Sequence, residues 1–217
     1  MRLFTFSHIK QRFNAINLLP SELIVLTNNL FLIFISFAKY LQLSCSLFIL
    51  NVAINKDVLE ITTSKRYLLY LLKFLKDHSL TKCTTLIDYT AIDYPGKKYR
   101  FEVILFLLSF SWNFRIKIRL FTNEVFSLET VTHLYKIAFW QEREIWDMFG
   151  ILFQNHTDLR RILTDYGFLG HPLRKDFPLT GYVEIFFDDF KRNIITTPVS
   201  LAQEYRFYEF KNPWVTN

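Results

Sequence analysis

The sequence predicts an α+β fold, in which a small mixed sheet is backed by helices and followed by a long extended C-terminal arm. Three observations predict it: leucines recur at helical spacing near residue 70, apolar and charged residues alternate between residues 100 and 120, and regular periodicity is lost after Gly150. We expect three parts. They are a helical apolar extension at residues 1–55, a compact α+β domain at residues 56–150 and an extended arm at residues 151–217.

The first predicted element is a helix over residues 64–78. Leu68 and Leu72 belong to a leucine stripe on one face of such a helix, and lysines and an arginine occupy the other face. Thr63 or Ser64 is placed to cap its N-terminus. The helix therefore covers the predicted sheet with its leucine face.

Strands are predicted on both sides of residue 110. Residues 100–109 become uniformly apolar, which is typical of a strand covered on both faces. Residues 115–120 alternate strictly between charged and apolar side chains, which is typical of a strand with one wet face. A turn at residues 93–97 separates residues 84–89 from the first of these strands.

A second helix is predicted from residue 128 to residue 149. Leu134, Ala138 and Ile145 lie on one stripe, and Gly150 is available as the C-terminal stop. Residues 151–217 then show charged clusters, turns and aromatics without sustained helical or strand repeats. Such a long irregular stretch is uncommon in a compact domain unless it binds something, so we expect an arm that becomes ordered on a partner.

Composition sets the class of protein and of partner. The chain is 51% hydrophobic and has 24 Phe against 5 Gly, a bias that AT-rich codons produce, so an AT-rich organellar genome is expected. The same bias supplies lysine, so the net charge of +6 does not by itself indicate a nucleic acid. Cys45 and Cys83 are the only cysteines, too few and too far apart for a disulfide framework or a metal knuckle.

The apolar run at residues 30–50 is not predicted to cross a membrane. Lys39 and Gln42 interrupt it near its middle, whereas an unbroken span needs roughly 18 to 20 apolar residues. We expect no transmembrane segment here, and a buried or partner-facing helix instead.

Residues 142–182, which we call the signature segment, carry the densest set of charged, aromatic and turn-forming residues. They read EREIWDMFG at 142–150, DLRRILTDYGF at 158–168 and GHPLRKDFPL at 170–179. These motifs resemble the NADH dehydrogenase subunit 9 family, the NuoC-type subunits of respiratory complex I. The resemblance extends more weakly over residues 56–217, and residues 1–55 match nothing in that family.

The resemblance implies a non-catalytic core subunit in the peripheral arm of mitochondrial complex I, on the matrix side of the inner membrane. It would scaffold the quinone-reduction module, beside its large subunit and other peripheral-arm subunits, during NADH to ubiquinone electron transfer coupled to proton translocation. This chain would bind no cofactor, because FMN and the iron–sulfur clusters belong to other subunits. Outside the resemblance, the apolar residues 1–55 are expected either to contact a lineage-specific subunit or to cover the domain. The sequence itself shows no phosphate loop, dinucleotide fingerprint or cluster-binding cysteine spacing.

The charged residues of the signature segment are expected at a protein interface. Acids flank each arginine pair, which favours mixed charge networks over a phosphate-binding groove. We expect Glu144 or Asp147 to pair with an arginine of the set Arg143, Arg160 and Arg161, and Trp146 to act as an aromatic anchor. The predicted interface residues are Glu142, Arg143, Glu144, Trp146, Asp147, His156, Asp158, Arg160, Arg161, His171, Arg174, Lys175 and Asp176.

Two other functions remain open from the sequence. One is a freestanding metal-dependent enzyme, since carboxylates and imidazoles suit divalent metals and Glu144, Asp147, His156 and His171 are close in sequence. The other is a basic nucleic-acid-binding module, which salt-sensitive binding to duplex or single strands would reveal.

Overall fold

The computed structural model describes residues 35–55, 58–208 and 214. Contacts divide the chain into two units, Met1–Asp176 and Phe177–Asn217. The first unit contains a five-stranded mixed sheet with helices, which confirms the predicted α+β class. Its strands are β1 (Ile49–Asn55), β2 (Val58–Thr63), β3 (Thr85–Asp93), β4 (Phe101–Ser109), β5 (Phe114–Thr122), β6 (Leu128–Glu129) and β7 (Phe153–Gln154), and its helices are α1 (35–44), α2 (Leu68–Asp77) and α3 (Ala138–Phe149).

The main sheet has the order β1-β2-β5-β4-β3. Strands β2 and β5 are parallel, and every other neighbouring pair is antiparallel. On β5, Ile116 and Ile118 point into the core, whereas Lys117 and Arg119 lie on the opposite face. There Lys117 donates to Glu60 at 3.0 Å. The predicted strand with one wet face is therefore confirmed, as is the heavily buried strand before it.

The leucine helix is confirmed as α2, preceded by a 3-10 turn at Lys65–Tyr67. Its leucine stripe is fully buried against the sheet. The predicted cap is wrong: Ser64 precedes the turn without a side-chain hydrogen bond, and the Thr63 hydroxyl donates to the Phe48 carbonyl at 2.7 Å. The Thr63 hydroxyl therefore ties β2 to the segment before β1.

The predicted helix over residues 128–149 is wrong in its first half, because α3 begins only at Ala138. Residues 128–129 form β6, which pairs in parallel with β7. The Leu128 N–H donates to Leu152 O at 2.8 Å, and the Thr130 N–H donates to Gln154 O at 3.0 Å. The β-branched residues that follow β6 favour this extended pairing over a helix.

The boundaries predicted at residues 55 and 150 do not coincide with the boundary between the two units at Asp176. Phe37 and Leu41 of α1 lie in the core, and β1 is an edge strand of the sheet. Residues 1–34 of the predicted extension lie outside the described residues. Ile151 and Phe153 lie in the hydrophobic core, whereas residues 156–176 pack on the domain mainly through polar contacts, which leave no periodic pattern for sequence reasoning to detect. Among residues 35–55 and 58–208, no helix is long and apolar enough to span a bilayer.

The second unit contains a β-hairpin of β8 (Val183–Asp188) and β9 (Asn193–Pro198). The expectation that residues 151–217 lack regular elements is therefore wrong at this hairpin. No side chain of these strands is fully buried, and the exposed face carries the apolar Val183, Ile185 and Phe187, so no apolar-inside, polar-outside alternation marks them in the sequence. The Phe177 and Tyr182 rings meet edge to face at 5.4 Å just before the hairpin. That this region is a partner-binding arm stays a prediction.

Candidate functional site

Asp147 is the centre of the signature segment, and its carboxylate is fully buried at the last turn of α3. Oδ2 accepts the backbone N–H groups of Ile162, Leu163 and Thr164 at 3.1, 2.8 and 3.0 Å. Oδ1 accepts the Thr164 hydroxyl at 2.7 Å and Arg161 Nη1 at 2.8 Å. One side chain on the helix thus holds three consecutive amides of the chain that follows.

The Asp147 carboxylate is ionised at neutral pH. Burial alone would raise its pKa, but the hydrogen bonds from the Thr164 hydroxyl, from the Leu163 and Thr164 amides and from Arg161 lower the pKa to about 2. The hydrogen bonds around it are therefore charge-assisted, the stronger class.

Arginines fix the backbone of residues 160–174, which we call the anchored loop. Arg143 donates from Nε to Arg160 O at 3.0 Å and from Nη2 to Arg161 O at 3.2 Å. Arg161 donates from Nη2 to Gly170 O at 2.9 Å. Arg143 therefore fixes the start of the anchored loop to α3, and Arg161 ties the loop across to Gly170.

The C-terminal end of α3 is bonded by the same loop. A helix leaves its last carbonyls without intrahelical partners. Here each of three is taken up: His171 Nδ1 donates to Asp147 O at 3.0 Å, the Leu173 N–H donates to Met148 O at 3.1 Å, and Arg174 Nε donates to Phe149 O at 2.6 Å. Gly150 ends the helix at φ +77° and brings the chain back toward this segment.

Glu142 lies one turn earlier on α3 and is fully buried. Oε1 accepts the Val131 N–H at 2.7 Å, and Oε2 accepts the Thr130 hydroxyl at 2.6 Å. Burial raises the pKa of Glu142 to about 7, although the bonds from Thr130 and Val131 act in the opposite direction. Glu142 therefore joins the helix to the segment after β6.

His156 has both ring nitrogens engaged. The Asp158 N–H donates to Nδ1 at 3.1 Å, so Nε2 carries the proton and donates to Phe139 O at 3.2 Å. The ring also stacks on Phe139 at 5.0 Å and lies 3.9 Å from the carboxylate of Glu142. His156 thus links the start of α3 to the chain that follows β7.

A second network joins the end of the anchored loop to the β3–β4 hairpin. Arg100 contacts Asp93 at 2.8 Å, Glu124 at 2.5 Å and Asp176 at 3.0 Å. The buried carboxylate of Asp93 also accepts the Lys175 N–H at 2.9 Å. Sequence reasoning missed Asp93 and Arg100 because they lie far from the signature segment in the chain. Their sequence signals were the charged turn around residue 93 and the weaker family resemblance of the stretches that contain them.

The predicted residues divide into buried and exposed groups. The predicted pairing is confirmed by the Asp147–Arg161 contact at 2.8 Å. Glu142, Arg143 and Asp147 are buried within this chain, and the assignment of the predicted residues to a partner interface stays a prediction. Trp146 is half-buried, with its ring 5.5 Å from that of His171. The exposed members are Glu144, Arg160, Lys175 and Asp176, with Asp158 half-exposed.

No group of three His, Cys, Asp or Glu side chains that could hold a metal ion occurs within the described residues. Glu144, named for the metal-enzyme alternative, is exposed, whereas Asp147, His156 and His171 bond to backbone groups.

Arg161→Ala is expected to lower the free energy of unfolding by about 2–3 kcal/mol, because the buried Asp147 carboxylate loses its charged partner. Arg160→Ala is the matched control, since Arg160 forms only an exposed ion pair with Asp158, and such pairs contribute little. Urea unfolding of both variants measures the difference. Equal effects of the two substitutions would contradict the assignment.

Glu142→Gln is expected to remove a pH dependence of stability. The folded pKa of about 7 exceeds the usual 4.5, so the folded chain keeps a proton that the unfolded chain releases. The free energy of unfolding of the wild type should therefore fall between pH 4.5 and 7, by up to about 3 kcal/mol relative to the variant. Urea titrations from pH 4 to 8 measure this, with Glu144→Gln as the exposed control. A parallel pH profile for Glu142→Gln and wild type would contradict it.

Comparison of the sequence with known proteins gives matches to one family. Residues 61–183 match the family described as the respiratory-chain NADH dehydrogenase, 30 kDa subunit. The chain is 51% identical over 152 residues to NADH dehydrogenase [ubiquinone] iron-sulfur protein 3 of Arabidopsis thaliana, covering 70% of this chain and 80% of that protein. It is 53% identical over 148 residues to NADH-ubiquinone oxidoreductase subunit 9 of Prototheca wickerhamii, covering 68% and 77%.

A solved structure shares the fold. It comes from the membrane-bound sulfane sulfur reductase, an archaeal respiratory membrane complex. The match has a TM-score of 0.51 at 22% identity and covers 59% of this chain and 77% of that one.

Proposed function

The chain belongs to the family of the 30 kDa subunit of respiratory-chain NADH dehydrogenase, and we propose that it acts as a non-catalytic scaffold in the peripheral arm of mitochondrial complex I. In this role it supports the quinone-reduction module while the complex passes electrons from NADH to ubiquinone and translocates protons. The matched relatives, at 51–53% identity, carry the proposal.

The chemistry of the signature segment supports a scaffolding role. Its buried carboxylates and both of its histidines bond to backbone groups of the same chain. Those bonds fix the path of the anchored loop against α3. Side chains that hold the backbone in one path fix the shape of the protein surface. A subunit that binds other subunits requires a surface of fixed shape.

The proposed partners are the large subunit of the quinone module and other peripheral-arm subunits. Of the predicted interface residues, the accessible ones are proposed to meet them: Glu144, Trp146, Asp158, Arg160, Lys175 and Asp176. A lineage-specific subunit is proposed to meet residues 1–55. We place the chain on the matrix side of the inner membrane, and assign FMN and the iron–sulfur clusters to other subunits.

Native extraction tests the proposal. Membranes of the source are solubilised in mild detergent and separated on a native gel, and the band stained for NADH dehydrogenase activity is identified by mass spectrometry. We expect the chain only in a very large NADH-oxidising assembly. A small free species without that activity would overturn the proposal, and metal analysis and salt-dependent nucleic-acid binding of that species would then test the two alternatives.

A further inference from the structure

The anchored loop turns large apolar side chains toward solvent. Between residues 163 and 173, Tyr166 is fully exposed, Leu169 is 87% exposed, and Leu163 and Leu173 are more than half exposed. Solvent-facing loops usually present polar side chains, and single exposed leucines are common. Four exposed large apolar residues within eleven positions are a denser set than such scatter produces.

The polar groups of the same loop face inward. The amides of residues 162–164 donate to Asp147, the Gly170 carbonyl accepts Arg161, and the Phe168 N–H donates to Asp165 O at 3.1 Å. The loop is therefore held in one conformation by its backbone and by the polar side chains of Arg161, Thr164, His171 and Arg174. Its large apolar side chains take no part in that anchoring. A preorganised apolar surface of this kind loses little entropy on binding.

We propose that Tyr166 and Leu169 of the anchored loop insert into an apolar groove of a different protein subunit, with a basic group of that subunit facing Asp165. The proposal rests on the function proposed above, because it supplies the loop with a partner. Tyrosine is enriched at interface centres, and the leucines beside Tyr166 add apolar area that a groove can bury.

Charge favours a protein over a lipid surface. Apolar segments that enter a membrane interface carry lysines and arginines beside their apolar residues, because the headgroups are anionic. In residues 162–173 the single fixed charge is that of Asp165. The basic side chains on either side are engaged within the chain: Arg161 bonds to Asp147, Arg160 pairs with Asp158 at 2.7 Å, Arg174 donates to Phe149 O at 2.6 Å, and Lys175 lies 5.4 Å from the Tyr94 ring centre.

Charge also disfavours a second copy of this chain. A two-fold contact centred on the loop would bring the two Asp165 carboxylates together, and like charges at an interface oppose association. A different subunit with a basic group at that position has no such conflict. The acidic residue thus defines the chemistry expected of the groove.

Photo-crosslinking in the assembled complex tests the proposal directly. A benzoylphenylalanine replaces Tyr166 in one sample and Phe110 in a control, since Phe110 is exposed in the turn after β4, at the far end of that strand from Phe101. Irradiation should join position 166 to one other subunit, with the attachment site in an apolar segment. A crosslink to lipid, to a second copy, to residues 177–208 of the same chain, or no crosslink at all would overturn the proposal.

A second variant pair measures the effect on assembly. Leu169→Ser is expected to reduce incorporation of the chain into the NADH-oxidising band about tenfold, which equals roughly 1.4 kcal/mol of contact. Phe110→Ser should leave incorporation within about twofold, and both free chains should unfold at the wild-type temperature because the changed side chains are exposed. Wild-type incorporation of Leu169→Ser would overturn the docking proposal but leave the proposed function intact. Absence of the unmodified chain from the band would instead sink the proposed function.

Discussion

Asp147→Asn is expected to lower the free energy of unfolding by about 3–5 kcal/mol, the largest effect of any single substitution in the signature segment. The carboxylate accepts three backbone amides, one hydroxyl and one guanidinium. An amide has the same shape, but it turns a donor toward some of these donors and leaves Arg161 without its charge partner. Unsatisfied buried groups of this kind cost more than the hydrogen bonds that they replace.

Urea unfolding of the free chain measures this loss, and hydrogen exchange localises it. The amides of Ile162, Leu163 and Thr164 should exchange faster in the variant, whereas amides of β4 and β5 should exchange at rates set by global stability alone. Glu144→Gln on the same helix is the control, because Glu144 is exposed. Unchanged exchange at residues 162–164 would show that the carboxylate does not hold the loop.

The Asp147 carboxylate also makes the free energy of unfolding depend on pH in the acid range. Its folded pKa of about 2 lies below the usual 3.8, so the folded state releases a proton that the unfolded state keeps at low pH. Its contribution is therefore complete above about pH 4 and is lost as the pH falls toward 2. In Asp147→Asn this part of the acid dependence should disappear.

Gly150→Ala is expected to destabilise the chain by about 2–5 kcal/mol, for two separable reasons. The residue has φ +77°, a conformation that costs an L side chain roughly 1–2 kcal/mol. An added Cβ would also lie 2.5 Å from Arg174 Nη2 and from His171 Nε2, so the segment that bonds the helix end would have to move. Such overpacking costs typically 1–3 kcal/mol.

Gly167→Ala separates the two contributions. Gly167 has φ +75°, but nothing lies within 4 Å of an added Cβ. It should therefore show the backbone cost alone, and the difference in unfolding free energy between the two variants gives the cost of displacing His171 and Arg174. If the two alanine variants were equally stable, the packing of those side chains on Gly150 would be contradicted.

Periodicity predicted the elements that bury one face. Helix α2 and strand β5 followed from it because the burial of Leu72 or Ile118 repeats at the period of the element. The start of α3 did not follow, because residues 128–131 pair with residues 152–154, a contact that no local pattern encodes. The hairpin β8–β9 was missed for a different reason, since none of its side chains is fully buried and the apolar Val183, Ile185 and Phe187 are exposed.

The sequence predicted which residues form the candidate site, but only some of the contacts between them. Charge density identified Asp147 and Arg161, each as one of several possible partners. The three amides that Asp147 binds are backbone groups. Because every residue except proline has a backbone N–H, no residue type in the sequence predicts them. The burial of Glu142 could not be predicted either, because it depends on Thr130 and Val131 on a segment that was expected to be helical.

The bonds around Asp147 have a consequence for the order of folding. They join residues only 14–17 positions apart, whereas the contact of Glu60 with Lys117 across the parallel strands joins residues 57 apart. Short closures cost less chain entropy and form sooner than long ones. The helix end and the anchored loop are therefore expected to close before the β2–β5 pairing does. A full-length chain that refolds would then hold its anchored loop in shape while its sheet is still incomplete.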